Sequence, residues 1–168
     1  TSETILGNIM KFTRKWAMPN RNTFNVVPIN EFVRRYMNHF DPVVDPFCGE
    51  NPFGLWFSND MNPDKPTNYH YDAVEFLRDQ MKGNKFQLGL FDPPYSLRQV
   101  KECYNGMGKD LTHADTLDAS FRRVKDVLDP LIPEGGIVLS FGWNTVGMGK
   151  KMGYEIIEIL LVCHGGHH

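Results

Sequence analysis

Short apolar runs alternate along the chain with apolar stripes at helical spacing. A short run rich in Val, Ile, Leu and Phe that is bounded by Pro, Gly, Asn or Asp is typical of a buried strand. Apolar residues three or four positions apart, with charges between them, are typical of an amphipathic helix. The pattern predicts strands at 42–45, 55–60, 87–91, 137–141 and 155–163 and helices at 29–40, 73–81 and 117–131.

The alternation of strands and helices predicts an α/β fold with a mostly parallel sheet that is covered on both faces. Three of the strands end in an acid that is followed by a turn, and these acids are Asp45, Asp60 and Asp92. In open α/β sheets, ligands bind outside the carboxyl ends of the strands. We therefore expect the three acids to lie together along one edge of the sheet.

The strand at 87–91 runs directly into the tetrapeptide Asp92-Pro93-Pro94-Tyr95. The two prolines remove two backbone donors and push the residue before each of them into an extended conformation. The carbonyls of Asp92 and Pro93 are then available to a ligand, and Tyr95 adds a flat ring beside them. This combination suits a planar substrate that carries an exocyclic amino group. Taken alone, the tetrapeptide is equally compatible with a simple turn after a strand.

The turn after the first predicted strand is Asp45-Pro46-Phe47-Cys48-Gly49. It has neither the glycine spacing of a dinucleotide fingerprint nor the lysine of a phosphate-binding loop. A glycine turn of this kind suits a nucleoside-type cofactor without phosphates. Asp60, at the end of the next strand, stands where a carboxylate would accept the hydroxyls of a ribose. Asp72 has two interpretations, as the cap of the following helix or as a contact to the base of the cofactor.

The ordered set of motifs resembles that of the amino-group DNA methyltransferases of the adenine-N6 type, which use S-adenosylmethionine. The resemblance spans residues 19–166. The tetrapeptide at 92–95 matches the catalytic motif of that family, and the turn at 45–49 matches its methionine-binding loop. Segment 59–63 resembles the ribose-binding motif, and 70–73 resembles the segment near the cofactor adenine. Segment 24–29 resembles the motif that closes over the methionine end, and 140–144 resembles the lining of the target pocket.

The resemblance implies a Rossmann-like three-layer αβα methyltransferase fold in a single catalytic domain, residues 1–168, without a separate target-recognition domain. In that family a final antiparallel strand lies beside the last parallel one, and this sequence shows no such strand. Glu50 and Asn51 stand where many relatives carry glycine or other small residues. The implied catalytic residues are Asp92, Pro93, Pro94 and Tyr95. The implied cofactor is S-adenosylmethionine, without a metal, and the implied cofactor-binding residues are Phe24, Pro28, Asp45, Pro46, Phe47, Gly49, Asn59, Asp60, Asp72 and Asp92.

The implied activity is methylation of the exocyclic N6 amino group of an adenine that has been flipped out of DNA. In size and motif spacing the chain is similar to the solitary methyltransferases of bacteriophages, which are linked to restriction–modification through protection against host restriction. Two alternatives stay open. One is an enzyme that methylates RNA or the N4 amino group of cytosine. The other is a catalytically weak subunit that binds nucleic acid or a partner protein.

Composition adds few constraints on partners. The formal net charge of −2 gives no global indication of nucleic-acid binding, so any such binding needs a local basic patch. Two groups of cations could form one, or could be ordinary solvated surface: Lys11, Arg14, Lys15 and Arg21, and Arg98, Lys101, Arg122, Arg123 and Lys125. The 3 cysteines form neither a zinc motif nor a disulfide framework.

The sequence also carries an expectation about location. No apolar stretch approaches the length of a membrane span, so no membrane partner is expected. The first residues lack the pattern of a secretory signal. We expect a cytoplasmic protein of a bacterial or phage-infected host cell, and the sequence leaves a homodimer open.

Overall fold

A four-stranded parallel sheet lies at the centre of the computed structural model, which describes residues 9–94 and 117–165. In chain order the elements are β1 (Lys11–Trp16), α1 (Val27–Met37), β2 (Val43–Asp45), β3 (Phe57–Ser58), α2 (Ala73–Glu75, continued by a π-helical turn over Phe76–Gln80), β4 (Leu88–Phe91), α3 (Leu117–Leu128), β5 (Ile137–Ser140) and β6 (Glu158–Cys163). The central sheet has the strand order β3-β2-β4-β5. Every strand pairing among the described residues is parallel.

Both faces of the central sheet are covered, as predicted. One core cluster packs α2 and α3 against one face and includes Val44, Phe76, Leu77, Phe91 and Leu128. A second cluster packs α1 against the opposite face and includes Val33, Tyr36, Val43, Leu88 and Leu90. All four residues of β4 are buried because the strand lies between these two clusters. The mixed α/β class with a parallel sheet is therefore confirmed.

Gly89, in the middle of β4, lies against the core. A Cβ at this position would lie 3.4 Å from Ile132 Cδ1, 3.5 Å from Val138 Cγ2 and 3.6 Å from Leu128 Cδ1. These are ordinary van der Waals distances, so the core has room for a methyl group here and does not require the glycine.

Several element boundaries differ from the predicted ones. Helix α1 begins at Val27 instead of 29, because Pro28 fits the first turn of a helix, where no backbone donor is needed. The predicted helix 117–131 ends at Leu128 and gives way to a 3₁₀ turn over Asp129–Leu131, where Pro130 lies. The predicted strand 55–60 narrows to β3, with an isolated bridge between Asn59 and Tyr69 beyond it.

The sequence pattern does not predict β1, which pairs with β6 in a separate two-stranded parallel sheet. The register aligns Lys11 with Glu158 and Trp16 with Cys163. Cations occupy three of the six positions of β1, and five of its six residues are exposed, so the strand lacks the apolar signal of a buried one. The basic group predicted around Lys11 and Arg14 is thus part of a strand.

Glu158 connects this second sheet to the rest of the fold. Its side chain, 7% exposed, accepts hydrogen bonds from Arg35 Nη2 at 2.8 Å and from Tyr36 Oη at 2.7 Å, both on α1. Lys11 Nζ lies 3.5 Å from the same carboxylate. Burial raises the pKa of Glu158, but the hydrogen bonds from Arg35 and Tyr36 outweigh it, so the pKa lies below its ordinary value. Burial, together with the bond to Glu158, raises the pKa of Tyr36 to about 12.

None of the helices in the described ranges combines the length and apolar character needed to cross a bilayer.

We expect Glu158→Gln to lower the free energy of unfolding by about 1–3 kcal/mol, because two cations and a hydroxyl lose their charged acceptor. The contribution of Glu158 is present above the unfolded pKa of a glutamate and is lost as the pH falls through its lower folded pKa. Urea unfolding at several pH values measures both effects. The matched control is Glu155→Gln, at an exposed position three residues earlier. Equal stability of the two variants would contradict this role of Glu158.

Candidate functional site

The three acids predicted to gather do lie at neighbouring strand ends. Asp45 is the last residue of β2, Asp60 follows the end of β3, and Asp92 directly follows β4. The strand order β3-β2-β4 places these ends side by side with Asp45 in the centre. Because the strands are parallel, their carboxyl ends meet at the same edge of the sheet.

Asp45 is the most deeply buried of these groups, with no exposed surface. Its Oδ1 accepts a hydrogen bond from the backbone N–H of Phe47 at 3.0 Å, whereas Oδ2 has no partner in the part of the chain that the structure describes. The pKa of Asp45 is raised to about 7, mainly by burial and also by the charges of Asp92 and Asp60, while hydrogen bonds from the Phe47 N–H and the Cys48 thiol oppose the rise. These Coulomb effects show that the three carboxyl groups are electrostatic neighbours.

The loop that follows Asp45 has a defined backbone shape. Gly49 has φ +57°, and Asn51 has φ +46°, a left-handed conformation that asparagine tolerates better than most residues. The Asn51 side chain supports the loop, since Oδ1 accepts from Leu55 N at 2.7 Å and Nδ2 donates to Leu55 O at 3.2 Å. Glu50 forms an ion pair with Lys65. Glu50 and Asn51, which depart from the pattern of the resembled family, therefore both make contacts that stabilise the loop.

Cys48, within the same loop, is a buried free thiol. Its Sγ lies 3.4 Å from Asn51 Oδ1, and its backbone N–H donates to Asn59 O at 2.8 Å. Burial raises the pKa of the Cys48 thiol, and the neighbouring Asp45 raises it further. The thiol is therefore protonated and serves packing and hydrogen bonding.

Asn59 acts in this structure as a clip between three segments. Its Nδ2 donates to Pro46 O at 3.1 Å and to Tyr71 O at 2.9 Å, while its Oδ1 accepts from Tyr71 N at 2.9 Å. The side chain is 1% exposed. Both hydrogens of the amide are thus used within the protein. Asn59 lies at the predicted site, and its contacts there position the loop after β2 against the segment before α2.

Asp60 and Asp72 flank this clip. Asp60 is half-buried, and its Oδ1 accepts from Asn62 N at 2.8 Å, which shapes the turn after β3. Asp72 caps α2, because its Oδ1 accepts from Val74 N at 3.0 Å and from Glu75 N at 3.5 Å. The capping interpretation of Asp72 is confirmed, and its contact to a base stays a prediction.

The upstream segment reaches the loop through an aromatic cluster. The ring of Phe24, 5% exposed, lies 5.1 Å from the ring of Phe53 and 5.2 Å from that of Phe141. Asn30 Nδ2 donates to Phe24 O at 2.9 Å, which ties the segment to α1. Pro28 lies in the first turn of the same helix. Phe24 is therefore fixed between the loop after β2 and the end of β5.

The predicted catalytic tetrapeptide leaves β4 at the same edge. Asp92 and Pro94 are half-buried and Pro93 is buried, whereas Tyr95 lies outside the described residues. The ring of Phe91 meets that of Phe47 edge-on at 5.9 Å, which joins the end of β4 to the loop after β2. Phe141 N donates to Phe91 O at 3.0 Å, so the segment predicted to line the target pocket begins next to Asp92.

A groove of about 570 Å³ opens beside this site, between β5 and β6. Its lining is mostly apolar and includes Ser140, Phe141 and Trp143 from the predicted target segment, but none of the three acids. A groove of this size is large enough to bind a small ligand. We place the candidate site at the acids instead, because the buried acceptor and the perturbed pKa lie there.

No group of three or more His, Cys, Asp or Glu side chains within residues 9–94 and 117–165 is arranged to hold a metal ion.

Comparisons of the chain with protein-family models, curated proteins and solved structures found no match.

Sequence reasoning identified the acids of the site but missed the supporting role of Asn51. An asparagine two residues after a glycine in a tight loop is a recognisable signal for a left-handed position. The clip formed by Asn59 had no sequence signal, because its partners are backbone atoms of Pro46 and Tyr71, which are distant along the chain.

We expect Asp45→Asn to flatten the pH dependence of stability. The folded pKa is about 7, so the folded state holds one more proton than the unfolded state between about pH 4 and pH 7. The wild type should therefore lose stability as the pH rises through this window, by up to roughly 4 kcal/mol. The neutral amide of the variant should not show this loss. Urea unfolding of the protein without added ligand, across a pH series, measures it.

The control for this experiment is Asp64→Asn, at an exposed position in the turn after β3. It should keep the pH profile of the wild type. Parallel profiles for Asp45→Asn and the wild type would show that Asp45 is charged in the folded protein across this pH range and would contradict the prediction.

Proposed function

We propose that this chain is an S-adenosylmethionine-dependent methyltransferase with a Rossmann-like three-layer fold that methylates the N6 amino group of adenine in DNA. The observation that carries the proposal is the convergence of Asp45, Asp60 and Asp92 at the carboxyl ends of three adjacent parallel strands. One of them, Asp92, is followed directly by Pro93 and Pro94. A donor site and an acceptor site for a group transfer can both be built at this edge.

The cofactor half of the site is supported by the acceptor on Asp45. A fully buried Oδ2 without a partner among the described residues suits the ammonium group of the cofactor's methionine, because a cation there would offset the cost of burying the carboxylate. Asp60 would accept hydroxyls of the ribose, and the backbone of the loop at 46–49 would lie along the methionine. Phe24 would close this end. When bound, the cofactor supplies an electrophilic methyl group on a sulfonium.

The acceptor half of the site is supported by the turn at Asp92. Pro93 and Pro94 carry no N–H, so this segment supplies carbonyl and carboxylate oxygens without backbone donors from the two prolines. Asp92 and the carbonyl of Pro93 would accept the two hydrogens of an exocyclic amine. They would also stabilise the positive charge that develops on its nitrogen during attack. After transfer, the proton would leave to solvent or through Asp92.

The proposed substrate is a nucleic-acid base, because the acceptors at Asp92 and Pro93 suit a planar molecule with an exocyclic amino group. A base in a duplex must leave the stack, at a cost of a few kcal/mol. Stacking on an aromatic ring returns about 1–3 kcal/mol, and Tyr95 is the residue we propose for this contact. An aspartate at position 92, where cytosine-N4 enzymes more often carry serine, favours adenine.

We expect Asp92→Ala to lower the rate of methyl transfer by about 10²–10³-fold, because one of the groups that stabilise the developing charge is removed. Cofactor affinity should change much less. The assay is transfer of a labelled methyl group to unmethylated DNA, followed by digestion and mass spectrometry of the nucleosides. N6-methyladenine in the wild-type product supports the proposal, whereas N4-methylcytosine, or methylation of RNA alone, would reassign the substrate. Full activity of Asp92→Ala would remove Asp92 from the mechanism.

We expect Asp60→Ala to weaken the binding of S-adenosylmethionine by about 10–100-fold, since hydrogen bonds to a charged acceptor contribute about 1.5–3 kcal/mol. Isothermal titration calorimetry measures the affinity directly. Asp64→Ala, four residues further in the same turn region, should bind as the wild type does. An unchanged affinity for Asp60→Ala would exclude a ribose contact at this position.

A further inference from the structure

The two-stranded sheet of β1 and β6 exposes an aromatic surface on one side. Side chains alternate across a strand, and the register places Phe12, Arg14 and Trp16 on the same side as Ile159, Leu161 and Cys163. We call these six residues the aromatic face. Phe12 is 57% exposed, Trp16 67% and Leu161 43%. The opposite side carries Glu158, which bonds to α1, so the aromatic face points away from that helix.

One cation, Arg14, lies on the aromatic face itself. Lys11 and Lys15 are also in β1, which contains no acid although the whole chain has a net charge of −2, but alternation places them on the side of Glu158. The guanidinium of Arg14 lies over the ring of Trp16, at 5.2 Å from the ring centre, and its Nε donates to Cys163 Sγ at 3.2 Å. Arg14 is therefore held in place beside the ring. The local charge is complementary to a polyanion.

The spacing of the aromatic face indicates which polyanion fits it. Residues two positions apart on a strand are separated by about 6.6 Å, so the two rings of Phe12 and Trp16, four positions apart, are attached about 13 Å from each other. Stacked bases within one strand of a duplex are separated by about 3.4 Å. A strand whose bases are splayed apart can place them on such rings and on the guanidinium, whereas a regular duplex cannot.

We propose that the aromatic face binds single-stranded polynucleotide. Bases stack on Phe12 and Trp16, and phosphates contact Arg14. This arrangement of a basic strand with aromatic platforms is the one that proteins use to bind single strands without reading their sequence. A protein partner or a second copy of the chain would use the rings but would have less use for Arg14.

The aromatic face also connects to the candidate site along the chain. Trp16 precedes Phe24 by eight residues, which can span at most about 28 Å. A polynucleotide held on β1 could thus extend towards the site, and this last step rests on the proposed function. The binding itself does not, because it requires neither the cofactor nor Asp92.

The test is fluorescence anisotropy with a labelled oligothymidylate of about 12 nucleotides, within the usual range of site sizes. An oligouridylate and a DNA duplex of similar length are measured alongside, all without S-adenosylmethionine. The wild type should bind the single strands more tightly than the duplex. The relative affinities of the two single strands show whether DNA or RNA is preferred. Phe12→Ala and Trp16→Ala should each weaken binding by about 5–150-fold.

Charge and ring contributions can be separated with further variants. Arg14→Gln should lower the slope of log affinity against log salt by about 0.7, because it removes the cation of the aromatic face, whereas Lys15→Gln, on the opposite side of the sheet, should leave the slope unchanged. Trp56→Ala is the matched control, since Trp56 is an equally exposed tryptophan, at 69%, that lies outside the aromatic face. Trp16→Phe should restore most of the affinity that Trp16→Ala loses, which separates stacking from misfolding. Urea unfolding confirms that each variant is folded.

Binding that is unchanged in both Phe12→Ala and Trp16→Ala, or equal loss in Trp56→Ala, would overturn the proposal. A wild-type dimer that Phe12→Ala dissociates, without any oligonucleotide binding, would assign the aromatic face to a second copy instead. Oligothymidylate contains no adenine and the assay contains no S-adenosylmethionine, so a protein that binds it but transfers no methyl group would contradict the proposed function alone. Failure of methyl transfer and failure of this surface are thereby distinguishable.

Discussion

The buried amide of Asn59 is the interaction on which the candidate site depends. Its three hydrogen bonds join the loop after β2, the end of β3 and the segment that enters α2. A buried amide that loses its partners costs about 1–3 kcal/mol for each group left unsatisfied, so these segments are held in one arrangement. Asp45 lies next to one anchor of the clip and Asp72 next to another. This side chain fixes Asp45, Asp60 and Asp72 relative to one another, whereas the pairing of β2 with β4 places Asp92.

Two carboxylates that are shielded from solvent, Glu158 and Asp45, have pKa values shifted in opposite directions by their surroundings. Glu158 is surrounded by Arg35, Tyr36 and Lys11, and the bonds from these partners hold its pKa below the ordinary value despite burial. Asp45 has one backbone donor and two acidic neighbours, and its pKa is raised to about 7. The first arrangement stabilises the folded chain by itself. The surroundings of Asp45 make its charged form unfavourable, and a bound cation would offset this cost. Carboxyl groups with pKa values shifted in this way are common at functional sites.

The sequence predicted the central elements well because their signals are local. The apolar runs of β2, β4 and β5 and the stripe of α1 are readable from neighbouring residues, and the acids at the strand ends follow from the runs. The signal failed for β1, where basic and aromatic residues alternate on an exposed strand. The helix predicted at 73–81 is present, but its second half is a π-helical turn, a difference of pitch that the pattern does not contain. Periodicity does not record backbone pairing or a change of helical pitch.

By itself, the sequence determined the α/β class, the parallel strands and the acids at the strand ends, because each depends on residue types within a few positions. Only the tertiary structure decided which acid is buried and how the amide of Asn59 is used. It also decided that the basic strand β1 pairs with β6 and presents Phe12 and Trp16 to solvent. The physical reason is that burial and hydrogen-bond satisfaction arise between segments far apart along the chain. Such long-range contacts determine the environment of Asp45 and the pairing of β1 with β6, and a pattern of neighbouring residues does not predict them.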